Sequence, residues 1–203
     1  MELTVDGITD GHPVPARFAF CAGDGMGDNV SPALAWSGVP EGTRSIAITC
    51  VDPDAPTDAT DVNQEGRTVP ADLPRADFAH WLLVDLPAAA TELAEGADGA
   101  GIVTHGKPVE GGALGGVRGA NDYTSWFAGD ADMEGTYGGY DGPCPPWNDS
   151  IVHHYVFTVH ALDVASLGLS AGLRLPDLRA ALEGHVLAEA SVTGTYSLNP
   201  DVA

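Results

Sequence analysis

Three segments carry the densest hydrophobic pattern, and each predicts a strand. Arg44 to Val51 (RSIAITCV) is rich in β-branched residues and places Ile46, Ile48 and Cys50 on one face. His80 to Leu86 (HWLLVDL) sets His80, Leu82, Val84 and Leu86 against Trp81 and Leu83. Ile151 to Leu162 gives the strongest pattern, with His153, Tyr155, Phe157 and Val159 sharing a face. Near-continuous apolarity predicts that all three are central strands covered on both sides. Helical pattern is scarce and late. Pro176 to Leu187 predicts a short helix opened by Pro176, with Asp177 in its first turn. Ala188 to Ser197 reads as a helix end or as a terminal strand. Thr57 to Ala76 reads as a loop, and Gly96 to Asp149 is Gly-rich with little period. A connection that long inside a compact domain is usually functional. With no internal repeat, the pattern predicts one all-β domain over 1–203 with a peripheral helix.

Composition narrows the class. The chain has 203 residues, 44% of them hydrophobic, which is enough for a folded core. No apolar run reaches the roughly 18 residues of a membrane helix. The opening MELTVDGITDGHPVPARF has no apolar core of a secretory signal, so a soluble cytoplasmic protein is expected. Charge is lopsided: 29 Asp and Glu face 8 Lys and Arg, a net charge of −21, and Lys107 is the single lysine. Such a surface repels nucleic acid and anionic lipid, excluding both as partners. Depletion of lysine beside this acidity points to adaptation to a salt-rich cytoplasm. The cysteines Cys21, Cys50 and Cys144 have neither metal-site nor disulfide-framework spacing, and buried free thiols are expected at Cys21 and Cys50.

Four features carry candidate chemistry. Asp52-Pro-Asp-Ala-Pro56 directly follows a strand, and its prolines are expected to stop that strand and hold Asp52 at a sheet rim. An ordinary turn explains the same residues. His80 begins its predicted strand, where a structural histidine is the alternative. In His153-His154-Tyr155, neighbouring residues point to opposite faces, so the two histidines cannot share one metal, whereas His153 and Tyr155 point the same way. Gly142-Pro-Cys-Pro-Pro146 is a stiff turn suited to a pocket wall, with Pro145–Pro146 the first candidate for a cis bond. No catalytic, phosphate-loop or cofactor motif is present, and neither a metal nor a cofactor is expected.

NVSPALAWSGVPEGTRSIAITCVDPDAP (29–56), FAHWLLVDLPA (78–88), GGYDGPCPP (138–146), HHYVFTVHALD (153–163) and GTYS (194–197) follow one another in a specific order. In these blocks the chain resembles the phosphatidylethanolamine-binding protein family, in its compact prokaryotic branch of Raf-kinase-inhibitor-like proteins. The resemblance implies two antiparallel sheets packed as a Greek-key sandwich, with one or two short helices near the C-terminus. It further implies a small anion pocket at one end, lined by Asp52, His80, His153 and Tyr155. Asp54 is expected among the ligand-binding residues, with Gly142, Pro145 and Pro146 in the wall. Tyr196 is placed near the mouth. His154 stands where the family has an arginine, and segments 57–76 and 124–136 look extended. The expected function is non-catalytic binding of a phosphate-bearing ligand, a phosphoethanolamine-like head group or a phosphorylated side chain. Regulation of a kinase or protease, and a homodimer, accompany that expectation. The alternative is a small hydrolase using the Asp/His cluster for acid–base chemistry.

Overall fold

The computed structural model describes residues 1–23 and 25–202. Its strands are β1 (Glu2–Val5), β2 (Cys21–Ala22), β3 (Gly25–Met26), β4 (Leu34–Ser37), β5 (Ser45–Pro56), β6 (Arg75–Pro87), β7 (Glu92–Leu93), β8 (Val117–Arg118), β9 (His153–Leu162) and β10 (Val186–Tyr196). The helices are α1 (Tyr123–Trp126) and α2 (Leu175–Leu182). One antiparallel sheet has the order β10-β9-β5-β6-β8 and a smaller one the order β1-β4-β7. The run β9-β5-β6-β8 is the Greek-key order, in which a fourth strand returns to lie beside the first. The three strands with the strongest apolar pattern are the centre of the large sheet, as their composition requires.

The core divides at that sheet. Ile46, Ile48, Phe157 and Val159 pack with Val5, Leu34, Trp36 and Leu93 of the small sheet. Ala47, Leu82 and Val84 face the other way, against Leu175 and Leu178 of α2. Two irregularities in β6 break the simple alternation expected for it. Register shifts between Cys50 and Val51 on β5, opposite Trp81 and Ala79, so that His80 and Trp81 both face the small-sheet side. Asp85 has φ 60°, and Leu86 returns to the face of Leu83. Each extra residue in a ladder reverses the facing of the residues after it.

Four other expectations are corrected. β5 does not stop at Asp52 but pairs with β6 as far as Pro56 opposite Arg75. Pairing with β9 ends at Val51, so beyond it β5 is an edge strand where Pro53 removes no ladder bond, and a register shift between Asp52 and Ala55 absorbs the strain. The C-terminal helix ends at Leu182 rather than Leu187, because Gly184, at φ 78°, turns the chain into β10. Cys21 is no free thiol: it forms a disulfide with Cys144, Cα to Cα 4.7 Å, while Cys50 is free and buried. Among the described residues every peptide bond is trans, including Pro145–Pro146.

Segment 96–150 is held by buried ion pairs as well as by an aromatic cluster of Tyr123, Phe127 and Tyr137 against Phe20. Lys107 pairs with the fully buried Asp141, and Arg118 donates to the fully buried Asp98 at 2.8 Å. Arg75 of β6 grips Asp149 with two hydrogen bonds of 2.6 and 3.0 Å. Asn29 and Asn121 add amide donors to Asp141 at 2.7 and 2.8 Å. Buried carboxylates satisfied in this way can hold a chain that has no periodic hydrophobic face of its own.

Candidate functional site

Past the edge of the small sheet, the core face of β5, β6 and β9 continues into a cavity of about 350 Å³. The phase of each strand decides what enters it. Asp52 follows Ile46, Ile48 and Cys50 along one face of β5, and Tyr155 precedes Phe157 along one face of β9. The β6 bulge adds Phe78 and His80 to the same side. Asp52, His80, His153 and Tyr155, far apart in sequence, therefore line one cavity together with Pro145 and Pro146.

The polar floor is ordered by its hydrogen bonds. His153 Nδ1 lies 2.7 Å from Asp52 Oδ2 and its Nε2 lies 3.1 Å from Asp149 Oδ2. Carboxylates at both nitrogens require both to carry protons, so His153 is an imidazolium. Burial pushes its pKa down, but Asp52 and Asp149 outweigh burial and raise it. Asp149, with burial acting against it, is held low by Arg75 and His153. His80 is tuned the other way. Burial lowers its pKa, Asp52 offsetting only part of that, and its Nδ1 donates to the Asp141 carbonyl at 2.7 Å. Its Nε2 is then the nitrogen without a hydrogen-bond partner among the described residues. Tyr155 is fully buried, and its hydroxyl has no such partner either. Burial drives that phenol well above its ordinary pKa, so it remains an O–H donor.

The wall explains the GPCPP turn. A Cβ at Gly142 would lie 1.8 Å from the Phe18 carbonyl oxygen, so only glycine fits there. Gly142 donates to Asn29 Oδ1 at 2.8 Å, and its carbonyl accepts the Tyr123 hydroxyl at 2.8 Å. It thus lies behind the lining, anchoring Pro145 and Pro146, rather than in the cavity. The Cys21–Cys144 disulfide forms part of the rim, and the Tyr196 hydroxyl donates to the Cys21 carbonyl at 2.9 Å. Asp54 is also outside the lining, its carboxylate accepting from the backbone and ring of the exposed His154 at 2.9 and 2.7 Å.

The sequence model of the family described as phosphatidylethanolamine-binding protein matches residues 4–197. The chain belongs to that family. It is 34% identical over 196 residues to a UPF0098 protein of Methanothermobacter thermautotrophicus, covering 97% of this chain and 98% of that one. It is 32% identical over 197 residues to the UPF0098 protein YbhB of Escherichia coli, covering 97% and all of the relative. Among solved structures, Escherichia coli YbcL, described as a new member of the mammalian PEBP family, superposes with a TM-score of 0.71 at 31% identity over 97% of both chains. A PEBP homologue of Chlamydia trachomatis superposes at 0.65 with 28% identity, over 97% and 96%.

In this member of the family, the sequence had no signal for Arg75, whose role depends on Asp149 reaching it across 74 residues. Asp149 stands four residues before His153, and that spacing was its one trace. Tyr123, Trp126, Phe127 and Met133, which line the cavity from an aperiodic segment, carried none. Among the described residues no group of three or more His, Cys, Asp or Glu is placed to hold a metal ion.

Proposed function

We propose that the protein is a non-catalytic binding module for a phosphate-bearing or similar anionic group, received on the floor of this cavity. The observation that carries the reading is Tyr155, which lines the cavity beside His80 and whose buried hydroxyl has no hydrogen-bond partner among the described residues. Such a group costs about 1–3 kcal/mol when nothing bonds to it, a cost that a ligand oxygen removes. His80 Nε2 supplies the second donor once protonated. His153 is not a third, because both its N–H groups are engaged by carboxylates; its part is to neutralise Asp52 and Asp149 and fix their geometry. With His153 and Arg75 balancing these two acids, the floor carries no net charge that would repel an anion locally.

A binding role also fits the state of the groups that hydrolysis would need. Cys144 is in a disulfide, Cys50 is packed in the core with its pKa raised by burial, and Ser45 donates to the Val164 carbonyl. A regulated kinase or protease, recognised through a phosphorylated side chain, is the partner class consistent with this reading. No helix among the described residues is long and apolar enough to cross a membrane. The disulfide weighs against the cytoplasmic location expected from the sequence, since such bonds persist mainly in oxidising surroundings.

Calorimetry with inorganic phosphate at pH 8 and pH 6, in molar KCl, tests the proposal. Burial lowers the pKa of His80 and an anion favours its imidazolium, so binding takes up a proton and tightens as pH falls. Tyr155→Phe should weaken phosphate about ten- to hundredfold, a hydrogen bond to a charged group contributing about 1.5–3 kcal/mol. It should leave the unfolding midpoint no lower than that of the wild type. His80→Ala should leave only the pH dependence that the ionisation of phosphate itself imposes. Binding that ignores both substitutions, or no binding at either pH, overturns the reading.

A further inference from the structure

An anion head alone leaves most of the cavity unused. A four-oxygen anion replaces a few waters at about 30 Å³ each, whereas the cavity holds about 350 Å³. That size belongs to sites for small organic ligands, which are lined mainly by apolar side chains around a few polar ones. The lining has that character: Phe20, Phe78, Trp126, Phe127 and Met133 share it with His80 and Tyr155. Its aromatic wall is built before any ligand arrives. Phe20 stacks on Tyr123 at 4.7 Å and 19°, and Tyr123 on Phe127 at 5.7 Å and 17°. The segment that contributes Trp126, Phe127 and Met133 is pinned where it returns, by the Tyr137 hydroxyl on the Met133 carbonyl at 2.7 Å and the Tyr137 amide on Thr124 Oγ1 at 3.0 Å. At the mouth Trp126 is 46% exposed, a large apolar surface that the fold itself does not use.

We infer that the ligand is an anion bearing an aryl or similarly flat apolar group, its head on His80 and Tyr155 and its body against Phe20, Trp126, Phe127 and Met133. This rests on the anion-binding reading above and adds the class of molecule to it. Phosphate ester, sulfate and carboxylate heads share the required chemistry; the apolar body selects among them.

Three probes separate the two claims by calorimetry on the whole chain: phenyl phosphate, inorganic phosphate and benzyl alcohol. Phenyl phosphate should bind at least tenfold more tightly than inorganic phosphate, since burying one ring against aromatic faces accounts for that much. Phe127→Ala should reduce this advantage severalfold with inorganic phosphate unaffected. Trp126→Ala, at a half-exposed position that folding does not need, should do the same if the first variant proves unstable. Equal affinity for phenyl phosphate and inorganic phosphate overturns the inference and leaves the anion site standing. So does a loss in these variants that is shared equally by both anions. Benzyl alcohol binding as tightly as phenyl phosphate overturns the anion site and, with it, an aryl anion as the ligand. Failure of all three probes to bind removes both claims.

Discussion

His153 and His80 carry the same side chain, face the same cavity, and are driven in opposite directions by their surroundings. For His153, carboxylates on both ring nitrogens overcome burial; for His80, one carbonyl and more distant acids do not. The consequence for His153 can be measured as stability. Its folded-state pKa is raised, so the unfolded chain releases this proton near the ordinary value of about 6.5 while the folded chain still holds it. The stabilisation is complete below that value and is lost as pH rises through the folded-state pKa. The unfolding midpoint of the wild type should therefore decline from pH 6.5 upwards, and that of His153→Gln should not share the decline. Parallel curves for the two proteins would show that His153 is not held as a cation.

At the scale of elements, the strands and the segment 96–150 are specified by different physics. β5, β6 and β9 were legible because burial on both faces writes itself as continuous apolarity, and Asp52, His80, His153 and Tyr155 could be placed on them. The bulges in β6 were not legible, because they arise from pairing with β5 rather than from the residues of β6 themselves. Nor was the Cys21–Cys144 bond, whose partners are brought together by a hairpin and a proline turn 123 residues apart. The long segment has no period to read, since Asp98, Lys107, Arg118 and Asp141, and the rings of Tyr123, Phe127 and Tyr137, meet only in space. Removing one partner from such a pair leaves the other charged and buried, so Lys107→Met should cost about 3–5 kcal/mol in denaturant unfolding. A cost below about 1 kcal/mol would mean that Asp141 needs only its amide donors.

For the whole molecule, the imbalance of charge is made sharper by where the cations lie. Arg17, Arg67, Arg75, Lys107, Arg118, Arg174 and Arg179 all face carboxylates. Few positive groups are left to offset the remaining acids across the surface, and those acids repel one another until salt screens them. The midpoint of thermal unfolding should rise between dilute buffer and molar KCl, and a fall would refute adaptation to salt. The single lysine has one more effect. Lys107 is only 8% exposed, its ammonium against Asp141. Apart from the chain's own N-terminal amine, an acylating reagent in solution meets no ready nucleophilic nitrogen of this kind. Slow acylation at Lys107 would therefore time the opening of the segment that conceals it.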